Sequence, residues 1–328
     1  MTYLKSTFLI IFSCLLFQQQ LSAQKVQIDN GYFITFPDQL TLRAYLSQKF
    51  VPFTISSSTE NELNYKSNSK LNLGLGASYN SITLNLSYGF KFLNPDKGKG
   101  TTKGLDLQFH IFPHKWAIDV LATFIKGYYL DPKDGNGLAL NNYYLRPDVH
   151  RTIIGFTTFR VPNAHRFSYK AAVTQSEWQT KSAGSFLYGI DGYYGSIKAD
   201  SALVPKAGNS FYEQSGINKI TFINAGPGAG YAYTLVIHKN FFITASAIAN
   251  LHLNFSSEEK SGTQMNKVNI LPGGIYKGAI GYNSRDWSVS ANILGNAIFS
   301  GSSVSSKKYF IPTGGMRFTV AKRLAKRK

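Results

Sequence analysis

The ionisable residues with the most suggestive spacing are Asp106 and His110, which lie four positions apart in a segment that alternates apolar and polar residues. In a β-strand, residues at even separations point to the same face, so both side chains are expected on one face. Asp119, in the next alternating segment, is expected on that face beside Gln108. A carboxylate next to an imidazole can orient a catalytic base, and Ser87 is a conceivable nucleophile.

No diagnostic catalytic motif accompanies this patch. The sequence has no Gly-x-Ser-x-Gly elbow and no His-Glu-x-x-His zinc motif. Its six histidines are scattered, and the glycine-rich segment 226–230 lacks the Lys-Ser/Thr of a phosphate loop. We therefore predict no metal, no cofactor and no enzymatic activity. A lipid-modifying hydrolase that uses the Asp106–His110 patch remains the alternative.

β-Strands must position these residues, because apolar and polar residues alternate with period two along much of the chain. In 71–90 the alternation continues on both sides of a two-residue turn at 80–81, which pairs Tyr79 with Ile82. Both apolar rows then share one face. The opposite face is small and polar and has no charge before Lys91. Such a face suits the interior of a membrane barrel better than the wet side of a soluble sheet.

The same design returns along the chain. Residues 105–111 and 116–124 form a second alternating hairpin around a turn at 113–114, and 241–255 and 287–297 alternate as well. Repeated alternating segments of about ten residues are the signature of a transmembrane β-barrel. No segment after the N-terminal region reaches the roughly 20 apolar residues of a membrane helix, so a lipid-spanning chain must close as a barrel.

The number of strands is the uncertain part of this prediction. Counting gives about 13 segments, whereas barrels of this kind have an even number of strands. The odd count comes from three expected strands near 166–177, 184–197 and 220–238. Either 184–197 belongs to an outer hairpin, or Gly226-Pro227-Gly228 splits the last segment in two. We predict an all-β, transmembrane, antiparallel up-and-down β-barrel of about 12 strands, with 14 as the other possibility.

Connections of two lengths are expected to alternate, as in outer-membrane barrels. Tight turns are predicted near 80, 113, 162–165, 239 and 283. Longer polar connections are predicted at 57–69, 93–103, 131–146, 256–267 and 300–307.

A polar network is expected inside this barrel. Ionisable groups at membrane depth are costly and usually paired, so inward-facing ones are the default functional candidates. The network either selects or contacts a solute, or it fills a narrow lumen with salt bridges, and the filler is favoured because small barrels are packed by their own side chains. The predicted members are Arg43, Lys49, Lys91, Asp106, His110, Asp119, Arg146, Asp148 and Glu177.

The N-terminus has the pattern of a secretory signal peptide. Lys5 precedes an apolar run, and Leu21-Ser22-Ala23 ends in a small residue, which predicts cleavage after Ala23. Cys14, the only cysteine, lies within this peptide, so the mature chain is expected to lack disulfides and thiolate sites. A lipid-attachment role for Cys14 is the weaker interpretation. The net charge of +18 fits either anionic partners, such as lipopolysaccharide or an anionic solute, or basic residues that lie in solvated loops and turns, and export argues against nucleic acid.

Several ordered motifs, spread over nearly the whole mature chain, resemble the domain of unknown function 4421 family of outer-membrane β-barrel proteins. The resemblance implies a barrel and assigns no activity. One departure is the basic tail after Phe318, where outer-membrane barrels usually end in an aromatic residue. The matching motifs are Phe36-Pro37-Asp38, Leu40-Thr41-Leu42-Arg43, Tyr45-Leu46-Ser47, Thr83-Leu84-Asn85-Leu86, Tyr88-Gly89-Phe90, Arg146-Pro147-Asp148, Glu177-Trp178-Gln179, Lys181-Ser182-Ala183-Gly184-Ser185-Phe186, Asp200-Ser201, Leu203-Val204-Pro205 and Gly230-Tyr231-Ala232-Tyr233-Thr234.

Together these observations predict a signal peptide at 1–23, a periplasmic segment at 24–39, a barrel at 40–321 and a basic tail at 322–328. We expect the protein in the bacterial outer membrane, among lipids and lipopolysaccharide, after assembly by the barrel insertion machinery. The expected role is a passive pore or transporter, or a structural element of the envelope. A soluble, exported β-sandwich binding protein is a further alternative to the hydrolase.

Overall fold

The computed structural model describes residues 31–36, 39–79, 82–94, 98–113, 115–134, 138 and 140–324. The predicted signal peptide, its cleavage site and the turn residues 80–81 lie outside the described residues. In chain order the described elements are β1 (Phe33–Thr35), β2 (Leu40–Phe50), β3 (Phe53–Ser56), β4 (Glu62–Tyr65), β5 (Leu71–Tyr79), β6 (Ile82–Tyr88), β7 (Lys103–Ile111), β8 (Trp116–Leu130), β9 (Tyr144–Arg160), α1 (Tyr169–Val173), β10 (Glu177–Gln179), β11 (Ala183–Lys198), β12 (Ile217–Ile237), β13 (Phe241–Lys260), β14 (Thr263–Asn283), β15 (Trp287–Ala297), β16 (Phe299–Gly301), β17 (Lys308–Phe310) and β18 (Thr313–Leu324).

Twelve of these strands form one antiparallel sheet that curls into a barrel. The last strand, β18, pairs with the first, β2, so that Thr319 lies opposite Tyr45. This pairing joins β2, β5 and β6 to the strands from β7 to β18 in one ladder. The ladder ends at β6 on one side and β7 on the other, with no pairing between them in the described residues. Lys49 of β2, the third strand from the β6 end, nevertheless reaches Asp106 of β7 at 2.6 Å, and a contact between strands so far apart in the ladder requires the sheet to curl around an axis.

The two faces of the barrel have opposite character. Along β13 exposed and buried residues alternate over almost the whole strand, with apolar side chains outward and Ser, Thr, Asn and His inward. The outward rows pack against no second sheet in the described part of the chain, unlike those of a sandwich. They form an apolar belt that suits contact with lipid. Members of the belt include Leu75, Leu86, Leu107, Phe156, Ile190, Ile223, Phe241, Leu253, Ile280 and Phe318.

The first hairpin has the predicted register, and the second differs by two residues. Tyr79 lies opposite Ile82, as expected. In the second hairpin Asp119 lies opposite His110 and not beside Gln108, because the connection leaves Ile111 paired with Ile118. A shift by an even number of residues keeps every side chain on its face. The predicted inward or outward orientation of each side chain is therefore correct despite the shift in register.

The strand predicted at 166–177 is wrong. Those residues contain the short helix α1 and lead into the short strand β10. Ser168 begins the helix, because its hydroxyl accepts a hydrogen bond from the amide of Ala171 at 3.1 Å. Both explanations for the odd strand count are wrong as well. β11 is a barrel strand, and β12 runs through Gly226-Pro227-Gly228 without a split.

The long connection predicted at 256–267 is also wrong. β13 and β14 continue to a two-residue turn in which Lys260 lies opposite Thr263. Ser261 and Gly262 have φ of 49° and 81°, as a tight hairpin turn requires. At the other end of the chain, β18 extends to Leu324 and so includes the first residues of the expected tail, 322–324. Residues 325–328 lie outside the described part.

Additional elements fill both ends of the barrel. We call the end with the turns at 238–240 and 284–286 the short-turn end. It carries α1 and the two-stranded sheet of β1 and β10, together termed the plug. The opposite, long-loop end holds a four-stranded sheet of β16, β17, β3 and β4 and the connection 199–216, together termed the cap. None of the described helices has the length and apolar character needed to cross a membrane.

A candidate functional site in the barrel interior

A small cavity of about 60 Å³ lies inside the barrel against the plug. Since one water needs roughly 10–15 Å³ by this measure, the cavity holds only a few waters or one small solute. Strands from around the barrel contribute basic side chains to it, and α1 contributes Tyr169. We call this the basic chamber and define it by the lining residues Arg43, Lys49, His110, Tyr169, Lys277 and Arg317.

Two carboxylates neutralise part of the basic chamber. Asp106 binds the Lys49 ammonium at 2.6 Å. Asp119 binds the Lys277 ammonium at 2.5 Å with one oxygen and Nδ1 of His110 at 2.5 Å with the other. Because ions inside a barrel are poorly solvated, a lysine that is held this close to a carboxylate is stabilised as an ion pair.

Two guanidinium groups of the basic chamber have no such compensation. Arg43 is buried and donates to the Ser78 hydroxyl at 2.8 Å and to the Thr174 carbonyl at 2.6 Å, while its Nε has no partner. Arg317 lies over the ring of Tyr45, at 4.5 Å from the centroid. Within the described residues, neither group has a carboxylate within 4.0 Å. With both lysines paired, the chamber therefore keeps two formal positive charges.

Side chains of the barrel wall hold the plug by its carbonyl groups. Arg43 binds the carbonyl of Thr174, Arg323 binds that of Gln175 at 2.7 Å, and Asn292 binds that of Ala172 at 3.0 Å. These oxygens follow or end the helix α1, where backbone acceptors lack partners within the helix. The plug is thus a bound part of the interior and not a loop that lies over it.

The cap is held by a buried guanidinium of its own. Arg146 binds Asp148 through two hydrogen bonds of 2.9 and 2.8 Å and donates to the carbonyl of Ala202 at 2.9 Å. This arrangement pins the connection 199–216 to β9. Bidentate pairs between arginine and carboxylate combine strength with fixed geometry.

An apolar cluster seals the long-loop end. Its inner-sheet members include Phe53, Ile55, Leu63 and Tyr309, all of them almost completely buried. Wall residues from β8, β9, β11 and β12 complete the cluster: Tyr128, Leu130, Val149, Ile153, Tyr193, Ile197, Ile220 and Phe222. Side chains buried to this extent are packed at close to interior density in that part of the lumen.

Polar contacts continue the seal on the remaining sides of the cap. The amide of Gly301 donates to the side chain of Asn254 on β13 at 3.0 Å. Glu258, also on β13, accepts from the Ser302 hydroxyl at 2.8 Å and is completely buried. Arg151 of β9 donates to the carbonyl of Pro312 at 2.9 Å. The cap therefore contacts the barrel wall at both β9 and β13.

The cap also carries an exposed carboxylate that joins two of its segments. Glu213 accepts a hydrogen bond from the Ser58 amide at 3.2 Å and one from the Ser305 hydroxyl at 3.4 Å. The Ser58 hydroxyl donates to the same carboxylate. Hydrogen bonds from Ser58, assisted by Ser305, hold the pKa of Glu213 below its ordinary value.

A second buried pair lies in the wall. Asp191 of β11 and Nε2 of His252 on β13 are 2.9 Å apart, and both side chains are almost completely buried. The imidazole needs the glycine at 273 beside it, because a Cβ there would lie 2.3 Å from the ring. The pair is packed in place within the wall, which favours a structural role.

The residues predicted for the lumen network are distributed over three places. Arg43, Lys49, Asp106, His110 and Asp119 lie at the basic chamber. Arg146 and Asp148 lie on β9 against the cap, and Glu177 lies in the plug, 3.7 Å from Lys170. The prediction that Lys91 belongs to the lumen network is wrong, because Lys91 begins a short 3-10 turn and is exposed to solvent.

Sequence reasoning missed Lys277, Arg317 and Arg323. Arg317 had a usable signal, because its neighbours Met316 and Phe318 face outward and alternation then turns the arginine inward. Lys277 was hidden behind Pro272-Gly273-Gly274, which interrupts the alternation of β14. Arg323 was assigned to the tail.

The interior also bears on the hydrolase alternative. His110 is bound to Asp119, one of the two carboxylates that could orient it, whereas Asp106 binds Lys49. No hydrogen bond joins Ser87 to His110 among the described residues. The described residues also contain no group of three or more His, Cys, Asp or Glu that could hold a metal ion.

The twelve-stranded barrel with its apolar outer belt and filled interior defines the class of this protein: it has the fold of outer-membrane β-barrels. The family model described as domain of unknown function (DUF4421) matches residues 27–320, and the chain belongs to that family.

Solved structures with a similar chain path include the outer-membrane protease OmpT from Escherichia coli, with 7% identity, coverage of 88% of this chain and 98% of that chain, and a TM-score of 0.36. Neisserial surface protein A has 10% identity, 87% and 97% coverage and a TM-score of 0.22. The Pseudomonas putida toluene transporter TodX has 6% identity, 88% and 90% coverage and a TM-score of 0.23. No curated protein sequence matches the chain.

Proposed function

We propose that this protein is a bacterial outer-membrane barrel whose lumen is closed to free diffusion, with a non-enzymatic role in the envelope. One observation carries the proposal: the lumen is filled from both ends, by the plug and by the cap. The cavities between the wall and the plug are small, about 60 and 140 Å³. Of the roles expected from the sequence, a structural or binding role fits this interior better than a passive pore.

The outer belt supports the membrane part of the proposal. Apolar side chains are exposed on barrel strands around the circumference, and no other described element covers them. Lipids and lipopolysaccharide are the partners that fit such a belt, and the barrel insertion machinery would place it. The short-turn end would then face the periplasm, as short turns do in such barrels.

Conductance in planar bilayers tests closure. The wild-type protein is expected to insert without producing stable channels. A variant with residues 168–176 replaced by a Gly-Ser linker removes the helix α1 from the plug. A variant with Phe53→Ser and Tyr309→Ser loosens the apolar cluster of the cap. Each change alone is expected to stay silent or nearly so, and their combination is expected to conduct, because the two ends close the lumen in series.

The control is Lys181→Ala, a charge removal at the short-turn end outside the deleted segment, and it should stay silent. Steady channels from wild-type protein would overturn the proposal. A silent combined variant that still shows heat-modifiable migration on gels, and is therefore folded, would place the barrier elsewhere and overturn the role of the two ends.

Hydrolysis remains a second candidate because of one observation, the 2.5 Å contact between His110 and Asp119. A carboxylate on Nδ1 orients an imidazole as a general base. If this pair acts in catalysis, His110→Gln should abolish release of fatty acid from lipopolysaccharide or phospholipid by the purified protein. Absence of release by wild-type protein would remove this candidate.

A further inference from the structure

We propose that the basic chamber binds one divalent tetrahedral oxyanion of the phosphate or sulfate type, held between Arg43 and Arg317. The inference rests on the proposed closed lumen, because an open pore would offer water to both guanidinium groups. It goes beyond closure by naming what the closed space contains.

The charge of the chamber is the first argument. Lys49 and Lys277 are matched by Asp106 and Asp119, whereas Arg43 and Arg317 have no carboxylate partner in the described residues. A buried ion without a partner is strongly unfavourable, and arginine does not escape by losing its proton. One anion with two negative charges restores neutrality.

The donors are the second argument. Arg43 and Arg317 both line the chamber. The guanidinium carbon of Arg317 lies 4.5 Å from the centroid of the Tyr45 ring, and its N–H groups have no hydrogen-bond partner in the described residues. Planar guanidinium groups bind phosphate-like oxygens through paired hydrogen bonds. Thr83 and Gln108 line the same cavity with neutral side chains that can donate.

Size is the third argument. A cavity of about 60 Å³ has room for roughly four to six water-sized spheres. A central atom with four oxygens is of that size, whereas a nucleotide, a sugar phosphate or a lipid headgroup with its glycerol is too large. The chamber itself therefore matches a free inorganic oxyanion in size, although Arg317 also borders a larger groove of about 700 Å³.

The experiment is refolding of the full mature chain into lipid vesicles in sodium chloride, in which chloride is replaced stepwise by sulfate or by phosphate at constant ionic strength. For one site on the folded state, stability rises with anion concentration once the dissociation constant is exceeded, by a factor of ten in the folded-to-unfolded ratio per tenfold in concentration. The urea midpoint of the wild-type protein should rise in this way with sulfate or phosphate above its value in chloride alone. The better of the two oxyanions identifies the preferred ligand.

Arg317→Gln removes one guanidinium whose only described side-chain contact is Tyr45, and should abolish the concentration dependence. Lys322→Gln is the matched control, because Lys322 lies on the same strand but faces outward, and it should respond as the wild type does. General salting-out by sulfate affects all variants alike and cancels in this comparison. If Arg317→Gln fails to fold, Arg317→Lys keeps the charge without the planar fork and should bind at least tenfold more weakly.

Retention gives an independent readout. Wild-type protein refolded in sulfate or phosphate, desalted and then denatured should release about one oxyanion per chain on ion chromatography, and Arg317→Gln should release none. Equal midpoints in all three salts, or an equal response of Arg317→Gln and wild type, would overturn the inference. Conductance of the wild-type barrel would instead refute closure, so the two proposals can fail separately.

Discussion

Asp119 is the carboxylate on which two cations of the basic chamber converge. It binds Lys277 and His110, each at 2.5 Å, from strands on different sides of the barrel. Removal of one member of such a buried set leaves the others uncompensated in a poorly solvated interior. The set therefore ties β7, β8 and β14 together across the lumen.

We expect Asp119→Asn to destabilise the folded barrel by about 3–5 kcal/mol, the usual cost of breaking a buried ion pair from one side. Lys277→Gln should cost a similar amount. The double variant should cost clearly less than the sum, because it buries no unpaired charge. Urea unfolding of the wild type, the two single variants and the double variant in vesicles measures this double-mutant cycle. Additive losses would show that the two side chains do not interact.

At the surface of the cap, Glu213 gives a pH-dependent contact. Its folded pKa lies below the ordinary 4.5, chiefly because Ser58 donates hydrogen bonds to the carboxylate. A lowered folded pKa means that the contact stabilises the cap above pH 4.5 and is lost as the pH falls through the folded value. A nitroxide attached at Glu60→Cys should gain mobility over that range.

The same label in a Glu213→Gln background is the control. Its mobility should be high at every pH and show no transition, because the amide does not titrate. An identical transition in both backgrounds would assign it to another group.

The residues of the chamber show what alternation in a sequence can and cannot predict. Inward orientation of Arg43, Lys49 and Asp106 follows from strand parity alone. Their partners do not, because Lys49 and Asp106 meet across the curled sheet, and curvature leaves no local signal. The position of Asp119 depended on the register of the hairpin. A shift of two residues places Asp119 opposite His110, where the sequence had predicted it beside Gln108.

At the scale of elements, the plug depends on the helix α1, which has only about one turn, and on its N-cap residue Ser168. The Ser168 hydroxyl accepts from the amide of Ala171 at 3.1 Å and donates to Glu177 at 2.5 Å. Loss of an N-cap hydroxyl typically costs about 1 kcal/mol. We expect Ser168→Ala to speed hydrogen exchange of the α1 amides about fivefold, as measured by mass spectrometry.

Ser182→Ala serves as the control for the plug. Ser182 lies at the same end and accepts from the amide of Val236 at 2.9 Å, outside the plug. Its removal should leave exchange in α1 unchanged. Equal exchange in Ser168→Ala and wild type would mean that the wall contacts alone hold the helix.

Elements that lie in the membrane belt were predictable, and elements that leave it were not. The hairpins at β5–β6 and β7–β8 follow from apolar and polar alternation. In 166–177, Phe167, Tyr169 and Ala171 imitate that alternation, yet these residues pack inside the lumen as part of the plug. The hairpin of β13 and β14 was interpreted as a loop because its tip is polar, although Glu258 points into the cap and is bound there.

At the scale of the whole molecule, the belt predicts a dependence on depth. Ile190 lies at the middle of β11 and Ile237 at the end of β12, and both are exposed on the outer face. An outward arginine costs about 2–4 kcal/mol at the bilayer midplane and about 0–1 kcal/mol near the interface. Ile190→Arg should therefore destabilise the barrel in vesicles much more than Ile237→Arg. Equal costs would mean that the belt is not in lipid.

The pairing of β18 with β2 has a consequence for how this protein is made. Leu324 lies opposite Leu40, so the wall is completed by two segments from opposite ends of the polypeptide. When the N-terminal strands leave the translocation pore, β2 cannot yet pair with β18, because β18 has not been exported. The unfinished sheet exposes unpaired amides that lipid cannot satisfy, so a holding factor must shield it until the final strand arrives. Truncation before β18 should accordingly yield degraded or aggregated protein rather than a smaller barrel.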